Sequence, residues 1–502
     1  MKVVFVYPDF ESLGVESLMS VCMEKGHSVE LVHYKAQDVY FGEKVKSVNY
    51  DELAERVADT GAQVAAFSCV TDNFQFQLRA ARALKAILPD ILTIFGGIHV
   101  TAVPEKVLAN PEVDAVAVGE GEVSFLRFLE RGDGKTGKFV LPDEPIRGIV
   151  YKKDGRLTGD FVEEELVDLD SLPIPYKKPF ADVLDDVRVQ YYIMTSRGCP
   201  YKCAYCFNSY LHQLRGGTAI RRRSVDNVIR ELEEAKQHWP KMGYVLFLDD
   251  CFTTNQTWLL EFCRLYKEKI ALPFGCITSP FYLNEEKAEA LAAAGCINVQ
   301  LGIQTLSEDM CKNILKRSSS NEKIANAITI AKRAGMMVQV DHMFGIPHDT
   351  LKLQEEAALF YNKYRPHVIS TLWLTYYPKT TIIDTARAEG IISDADIEKI
   401  EQGLSLTNHS LLNGGSLKNP EPFYSICFLM NWLPLLPRFV VAFLVRSHLY
   451  KMFSIKNYFF AIALPRAIQS VFNRKDYRAR NHIKRFIGRL LRSSIDTCRT
   501  RN

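Results

Sequence analysis

Residues 197–207 read Arg-Gly-Cys-Pro-Tyr-Lys-Cys-Ala-Tyr-Cys-Phe, which sets Cys199, Cys203 and Cys206 at Cys-x-x-x-Cys-x-x-Cys spacing. Three thiolates on one loop can hold three irons of a cubane [4Fe-4S] cluster and leave the fourth without a protein ligand, open to a substrate or cofactor. A structural zinc site uses the same residue types but closes its shell with four ligands, and His212 is the nearby candidate for the fourth. The other nine of the twelve cysteines are scattered singly, which argues for thiols kept reduced and a cluster of three reserved for metal. A second stretch with ligand-like spacing, Asp9-Phe10-Glu11-Ser12-Leu13-Gly14, directly follows the first apolar run.

These residues need elements to carry them. Before Glu130, the apolar runs KVVFVYP, HSVELVHY, VAAFSCV and LTIFGG alternate with the helical patterns VESLMSVCMEKG, YDELAERVADTG and FQLRAARALKAILP. Buried strands separated by helices of this length predict an α/β fold with a doubly wound, Rossmann-like parallel sheet, which binds ligands at the carboxyl ends of its strands. From about Glu130 to Val189 the chain is rich in Gly, Asp and Pro, and a hairpin-like piece followed by an extended linker is expected. From Gln190 the runs QYYIMT, YVLFL, PFGCI, INVQLG, MVQVDHM and ISTLWL, each separated by a helical pattern, predict a partial (β/α)6 barrel with its active residues at the C-terminal rim. The expected boundaries are 1–140 for the first unit, 141–188 for the linker, 189–400 for the barrel and 401–502 for an α-helical C-terminal region. A chain of 502 residues is long enough for about three such units.

The cysteine loop resembles the signature of the radical S-adenosylmethionine enzymes, and further stretches of the barrel resemble that family in order. The resemblance implies that Cys199, Cys203 and Cys206 bind the cluster and that its open iron chelates S-adenosylmethionine. Reductive cleavage of the sulfonium then gives a 5′-deoxyadenosyl radical. It places Tyr205 at adenine and Phe247-Leu248-Asp249-Asp250 at the exit of the second strand. Gln304 stands where the family usually has Glu, near ribose and carboxylate. Arg317, in Leu315-Lys316-Arg317, matches the arginine that pairs with the S-adenosylmethionine carboxylate, and Gly345, in Phe344-Gly345-Ile346-Pro347, the fifth-strand turn near adenine. Each residue also has a purely structural reading. Asp249 and Asp250 could cap a helix, Arg317 beside Lys316 could belong to a solvated face, and Gln304 could satisfy neighbouring backbone groups.

The first unit resembles a cobalamin-binding domain at three places in sequence: Asp9 to Gly14, Ser68-Cys69-Val70, and the pair Gly96-Gly97. A corrin needs a wide bed at the strand ends, small residues where its nucleotide tail threads in, and glycines where backbone approaches closely. Phe95-Gly96-Gly97-Ile98-His99 and Val118-Gly119-Glu120-Gly121-Glu122 also resemble stretches of the cobalamin-type radical S-adenosylmethionine class. In the first stretch the lower-ligand histidine of cobalamin domains is replaced by Glu11, a poor cobalt ligand. The resemblance to that class implies cobalamin held with an empty or water-filled lower face. The alternatives are a domain that keeps the fold without the cofactor, and His99 as a ligand or a structural hydrogen-bonder.

Charge is unevenly spread. From Arg446 to Asn502 there are fourteen Lys and Arg against Asp476 and Asp496, a local +12, and the first 445 residues carry −9. Phe423 to Val445 is long enough to span a bilayer by count, although Pro434, Pro437 and Arg438 oppose a simple spanning helix. Ile483, Phe486, Ile487, Leu490 and Leu491 fall on one helical face with Lys484, Arg485, Arg489 and Arg492 available to the other, the pattern of an interfacial amphipathic helix. A membrane surface is expected as partner ahead of nucleic acid, with a helical cap over the barrel as a third possibility. The apolar start, Val3 to Val6, is too short for a signal sequence, so a cytoplasmic chain, peripheral at the inner face of the membrane, is expected. The expected activity is methylation of an unactivated carbon in an apolar or membrane-associated molecule, with an electron donor such as flavodoxin or ferredoxin. The rival is a radical cyclisation, rearrangement or carbon–carbon coupling without methyl transfer, and without cobalamin in its simplest form.

Overall fold

The computed structural model describes residues 1–480 except 36–47, 133–137, 218–219, 319, 405–419, 453–454, 456, 458, 474 and 478–479. Five parallel strands, β1 (Lys2–Pro8), β2 (Ser28–Tyr34), β3 (Val64–Ser68), β4 (Leu92–Gly96) and β5 (Ala115–Ala117), form the body of the first sheet. Their near-continuous apolar sequences suit burial on both faces, and six of the seven residues of β1 are buried. The spatial order is β2-β1-β3-β4-β5. That order reverses between β1 and β3, so the loops leaving these two strands part and open a crevice at their carboxyl ends. Asp9–Gly14 leaves β1 and Ser68 ends β3, which puts both on that crevice.

The sheet runs past the boundary expected at 140. β6 (Ile149–Lys153) and β7 (Arg156–Gly159) form the anticipated hairpin, but β6 pairs antiparallel with β5 and so extends the first sheet to seven strands. Pairing supplies hydrogen bonds to the outer edge of β5, which would otherwise be bare. The extended connection to the second unit is therefore 160–189 rather than 141–188.

The second sheet contains β8 (Gln190–Ile193), β11 (Tyr244–Phe247), β12 (Phe274–Thr278), β13 (Cys296–Gln304), β14 (Met337–Phe344) and β15 (Val368–Trp373), all parallel and in chain order. This is the six-stranded partial barrel. Between β8 and β11, the short antiparallel pair β9 (Ser196–Arg197) and β10 (Arg221–Arg222) brackets the cysteine loop.

The long apolar run near the C-terminus does not form one helix. It is broken into Glu421–Trp432 and Arg438–Arg446, with Pro434 in the turn between and Pro437 capping the second helix. No helix among the described residues is long and apolar enough to cross a membrane. Phe423, Ile426, Leu429, Met430, Leu433 and Val441 instead belong to the same hydrophobic core as the barrel strands. Asn431 donates to Thr371 of β15 at 2.8 Å, and Arg365 donates to the carbonyls of Leu433 and Leu436 at 2.8 and 2.6 Å. This part of the tail is the helical cap. The basic face at Ile483–Leu491 lies outside the described residues.

If the cap is barrel core, Leu429→Ala should cost about 2–5 kcal/mol by leaving a cavity, whereas Phe439→Ala, on the exposed side of the next helix, should stay within about 0.5 kcal/mol. Urea denaturation followed by tryptophan fluorescence checks both.

Candidate functional site

The cysteine loop starts from a turn that only glycine makes easily: Gly198 has φ +98°. Cys206 caps the helix Phe207–Leu214, and its amide donates to the Cys203 carbonyl at 3.0 Å, closing a tight turn around Ala204. Ala204 is clamped from both sides. Its amide donates to the Leu315 carbonyl and its carbonyl accepts from the Ile382 amide, each at 2.9 Å. Burial pushes the Cys199 thiol up to about 12 and the Cys206 thiol up to about 11, so thiolates form here only when a cation takes the place of the protons. Burial also raises Cys203, against the pull of the Arg317 guanidinium beside it. Among the described residues no three His, Cys, Asp or Glu side chains converge to hold a single metal ion.

Arg317 is buried rather than on a solvated face. Its guanidinium lies 5.2 Å from the Tyr201 ring centre, donates to the Tyr205 hydroxyl at 3.3 Å and also donates to the Gly302 carbonyl. Among the described residues it forms no ion pair with a carboxylate. A buried, uncompensated cation beside the cysteine loop is a ready seat for the carboxylate of a ligand. Gln304 closes β13 with φ +72°, rare for a side chain that is not glycine. It sits where the register of β13 against β14 shifts, and its Oε1 is buried without a hydrogen-bond partner. A strained residue with an orphaned acceptor suits a ligand donor better than backbone satisfaction. Gly345, at φ +72°, turns the chain after β14 and donates its amide to Asp349 at 3.0 Å.

Asp249 is placed otherwise. It is fully buried and accepts from the Thr195 amide at 3.1 Å, from the Thr195 hydroxyl at 2.7 Å and from the Ser196 hydroxyl. It therefore positions the strand that leads into the cysteine loop. The helix after it, Gln256–Leu265, is capped by Asn255, so Asp249 is not a helix cap.

In the first unit, Gly14, Ser68, Gly96 and Gly97 line one cavity at the strand ends, and Tyr192, Met194 and Arg197 of the second unit form its other wall. The two glycines differ. A Cβ on Gly96 would meet only Ala117, at 3.6 Å, whereas a Cβ on Gly97, at φ +98°, would stand 2.6 Å from the Cys69 carbonyl oxygen. Gly97 thus serves the packing of its own turn, and Gly96 borders the cavity. Asp9 joins the loop to β2 through its amide, which donates to the Tyr34 carbonyl at 2.9 Å. His99 is buried, hydrogen-bonded to Thr71 at 3.2 Å and packed on Phe74, the structural placement of the two weighed for it.

Glu11 faces away from any ligand role. Lys177 of the linker donates to Glu11 at 2.6 Å and to Glu16 at 2.7 Å, with all three side chains 4% exposed or less. Burial opposes the ammonium, but Glu16 and Glu11 together hold its pKa above the ordinary lysine value. The ammonium also lies 4.7 Å from the ring centre of Tyr191 on β8.

A second set of charges ties the units together. Arg197 donates to Glu120 and, at 2.6 Å, to Glu122, both of the Val118–Glu122 turn. Glu120 also accepts from Arg221 and, at 3.3 Å, from Arg215, which meets Glu163 of the linker at 2.6 Å. Sequence reasoning singled out the Val118–Glu122 turn but not Arg197, Arg215, Arg221, Lys177 or Glu16. The unusual pair of glutamates spaced by glycine was the available signal.

Residues 3–129 match the B12 binding domain family and residues 193–360 the radical SAM superfamily. An uncharacterized methyltransferase of Pyrococcus horikoshii is 27% identical over 78% of this chain and 84% of its own. The anaerobic magnesium-protoporphyrin IX monomethyl ester cyclase of Rubrivivax gelatinosus is 23% identical over 75% of this chain and 68% of its own. The fold is similar to that of OxsB, a cobalamin-dependent S-adenosylmethionine radical enzyme solved with aqua-cobalamin bound. The TM-score is 0.63 at 14% identity, over 97% of this chain and 84% of that one. The chain belongs to the radical S-adenosylmethionine enzymes that carry a B12-binding domain ahead of the barrel, and its cofactors are a [4Fe-4S] cluster, S-adenosylmethionine and cobalamin.

The buried triad makes a specific prediction. Lys177→Met strands two carboxylates and should cost about 3–5 kcal/mol, and adding Glu16→Gln should restore part of that loss, as read by thermal denaturation of the two variants side by side.

Proposed function

We propose that this enzyme transfers a methyl group to an unactivated carbon, with Cys199, Cys203 and Cys206 as cluster ligands and Arg317 holding the carboxylate of S-adenosylmethionine. The observation that carries the reading is Arg197. It lines the cavity at the ends of the first sheet and is joined through Gly198 to Cys199, so one substrate can reach both cofactors. When bound, the cluster and S-adenosylmethionine supply a hydrogen-abstracting radical and cobalamin supplies the methyl carrier, once an electron donor of the flavodoxin or ferredoxin type has reduced the cluster.

The chain's own groups bind and orient. Arg317 fixes the ligand carboxylate, the orphaned Gln304 Oε1 accepts a hydrogen bond from the ribose or the amino group, and Tyr205 and Gly345 flank the adenine. Asp249 holds the approach to Cys199 still. Gly14, Ser68 and Gly96 leave the cavity wall free of bulk for the corrin. Glu11 takes no part, because its charge is spent on Lys177.

Similarity to the cyclase keeps a second reading in play, in which the carbon radical closes a ring instead of taking a methyl group. An apolar substrate was inferred from the tail alone, and the cap now accounts for much of that apolar sequence. What still supports a membrane connection is the set of exposed aromatic side chains beyond it.

Incubation of the reduced enzyme with methyl-deuterated S-adenosylmethionine and a lipid extract should give a product carrying the label by mass spectrometry. Formation of 5′-deoxyadenosine with an unlabelled, dehydrogenated product would favour ring closure. Arg317→Met should lower the affinity for S-adenosylmethionine by at least about tenfold, a loss of roughly 1.5 kcal/mol or more for a charge-assisted hydrogen bond, while the cluster absorbance persists. Gly96→Leu should weaken cobalamin binding, and Glu11→Gln, which keeps an acceptor for Lys177, should leave it largely intact, both by equilibrium dialysis.

A further inference from the structure

The barrel has a second cavity, at the end of its strands opposite the cysteine loop. It lies where β14 and β15 begin, has a volume of about 540 Å³, and is bordered by the C-terminal region through Pro434, Leu435 and Phe472. Its charges do not balance. Lys332, Arg365 and Lys475 line it, and the carboxylate there, Asp476, is held by Arg466 at 2.6 Å. Among the described residues none of the three cations has a carboxylate partner, nor does Arg438 on the adjoining helix. The hydrogen bonds of the three go to uncharged acceptors, backbone carbonyls and, for Arg365, also the Asn362 side-chain oxygen at 3.1 Å. Lys332 donates to the Tyr364 and Arg365 carbonyls at 3.0 and 2.8 Å, Arg365 to Leu433 and Leu436, and Lys475 to Gly335. Carbonyls satisfy donors but leave the net charge in place. Burial first, and then Arg438 and Arg365, hold the Lys332 pKa below its ordinary value, and burial with Lys332 and Lys475 does the same to His367.

The helices flanking this cavity expose aromatic side chains. Phe439 and Phe443, one turn apart, are 76% and 60% exposed while Val441 and Val445 on the other face are buried, and Phe472 at the cavity wall is 81% exposed. Of the six large apolar side chains at least 60% exposed among the described residues, five lie between 439 and 472. Such a concentration marks an interaction surface rather than the usual scatter. A nucleic-acid duplex would match the cations and leave the phenylalanines in water, whereas an anionic bilayer matches both the cations and the aliphatic and aromatic side chains exposed beside them.

We propose that this end of the barrel docks on a membrane surface containing anionic lipids, with Phe439, Phe443 and Phe472 entering the headgroup layer and the cations around the cavity facing lipid phosphates. Each engaged cation contributes roughly fivefold in affinity, weakened by salt. Docking here leaves the cluster on the far rim of the barrel, so it localises the enzyme without pressing its cofactors against the bilayer. The proposal is thus independent of what the enzyme methylates.

Vesicle flotation with the full chain tests it, using phosphatidylcholine vesicles with and without phosphatidylglycerol. The protein should float only with phosphatidylglycerol and should be released by salt. Phe439→Ser with Phe443→Ser, and separately Lys475→Glu, should each lower the affinity at least about fivefold. Formation of 5′-deoxyadenosine should be unchanged in both, which shows that the variants fold and keeps this outcome apart from the test of methyl transfer. Residues 481–502 carry six further Lys and Arg against one Asp, so a chain ending at 480 is the needed control and should keep part of the binding. Failure to float with either vesicle, equal flotation with both, or variants that float like the parent while the shortened chain does not, would overturn the proposal.

Discussion

Lys177 carries a charge where water does not reach, and that is tolerable only because Glu11 and Glu16 stand 2.6 and 2.7 Å from it. Removing one member of such a group is far more costly than forming the group is favourable, so the three positions are fixed together. Lys177 comes from the linker, Glu11 from the loop after β1 and Glu16 from the following helix, and the ammonium rests on Tyr191 of β8. The triad therefore sets how the crevice of the first sheet meets the first strand of the barrel. Glu120 and Glu122, held by Arg197, repeat the arrangement beside the cysteine loop. A substrate that must meet two cofactors needs their sites to keep a fixed separation, and these two charge clusters span the boundary between the first sheet and the barrel.

Within the barrel the division of labour is also electrostatic. Asp249 spends its acceptors on Thr195 and Ser196, which steadies the approach to the loop. Arg317, against Tyr201 and Tyr205 of that loop, has no carboxylate partner among the described residues, and the Gln304 Oε1 has no hydrogen-bond partner. Structural polar groups are satisfied inside the protein, and those reserved for a ligand are not. That difference separates Asp249 from Arg317, two residues that looked alike as candidates.

The strands and the cysteine loop were legible because their signals are local: apolar runs bounded by helical patterns, and three thiols within eight residues. β5, three residues long, gave too short a run, and the attachment of the hairpin to it was invisible because pairing partners are set by space. Arg197 and Glu120 are 77 residues apart in sequence, and Lys177 and Glu11 166 apart, so local spacing marks the Glu120–Glu122 turn but not the partners of either pair. The tail misled for a different reason. Phe423, Ile426 and Leu429 are as apolar as a lipid contact requires, and hydropathy cannot tell burial against a barrel from burial in a bilayer. Only the alternation of buried Val441 and Val445 with exposed Phe439 and Phe443 separates the two.

The central claim is that Glu11, at the place of a lower cobalt ligand, is engaged by Lys177, so that cobalamin sits on this sheet without a protein ligand beneath it. Electron paramagnetic resonance of the protein loaded with cobalamin in its cobalt(II) state reads that directly. The account predicts a spectrum with no nitrogen splitting of the cobalt lines, the same in the parent and in Glu11→Gln, which keeps an acceptor for Lys177. Threefold nitrogen splitting, or a spectrum that changes when Glu11 is replaced, would contradict it.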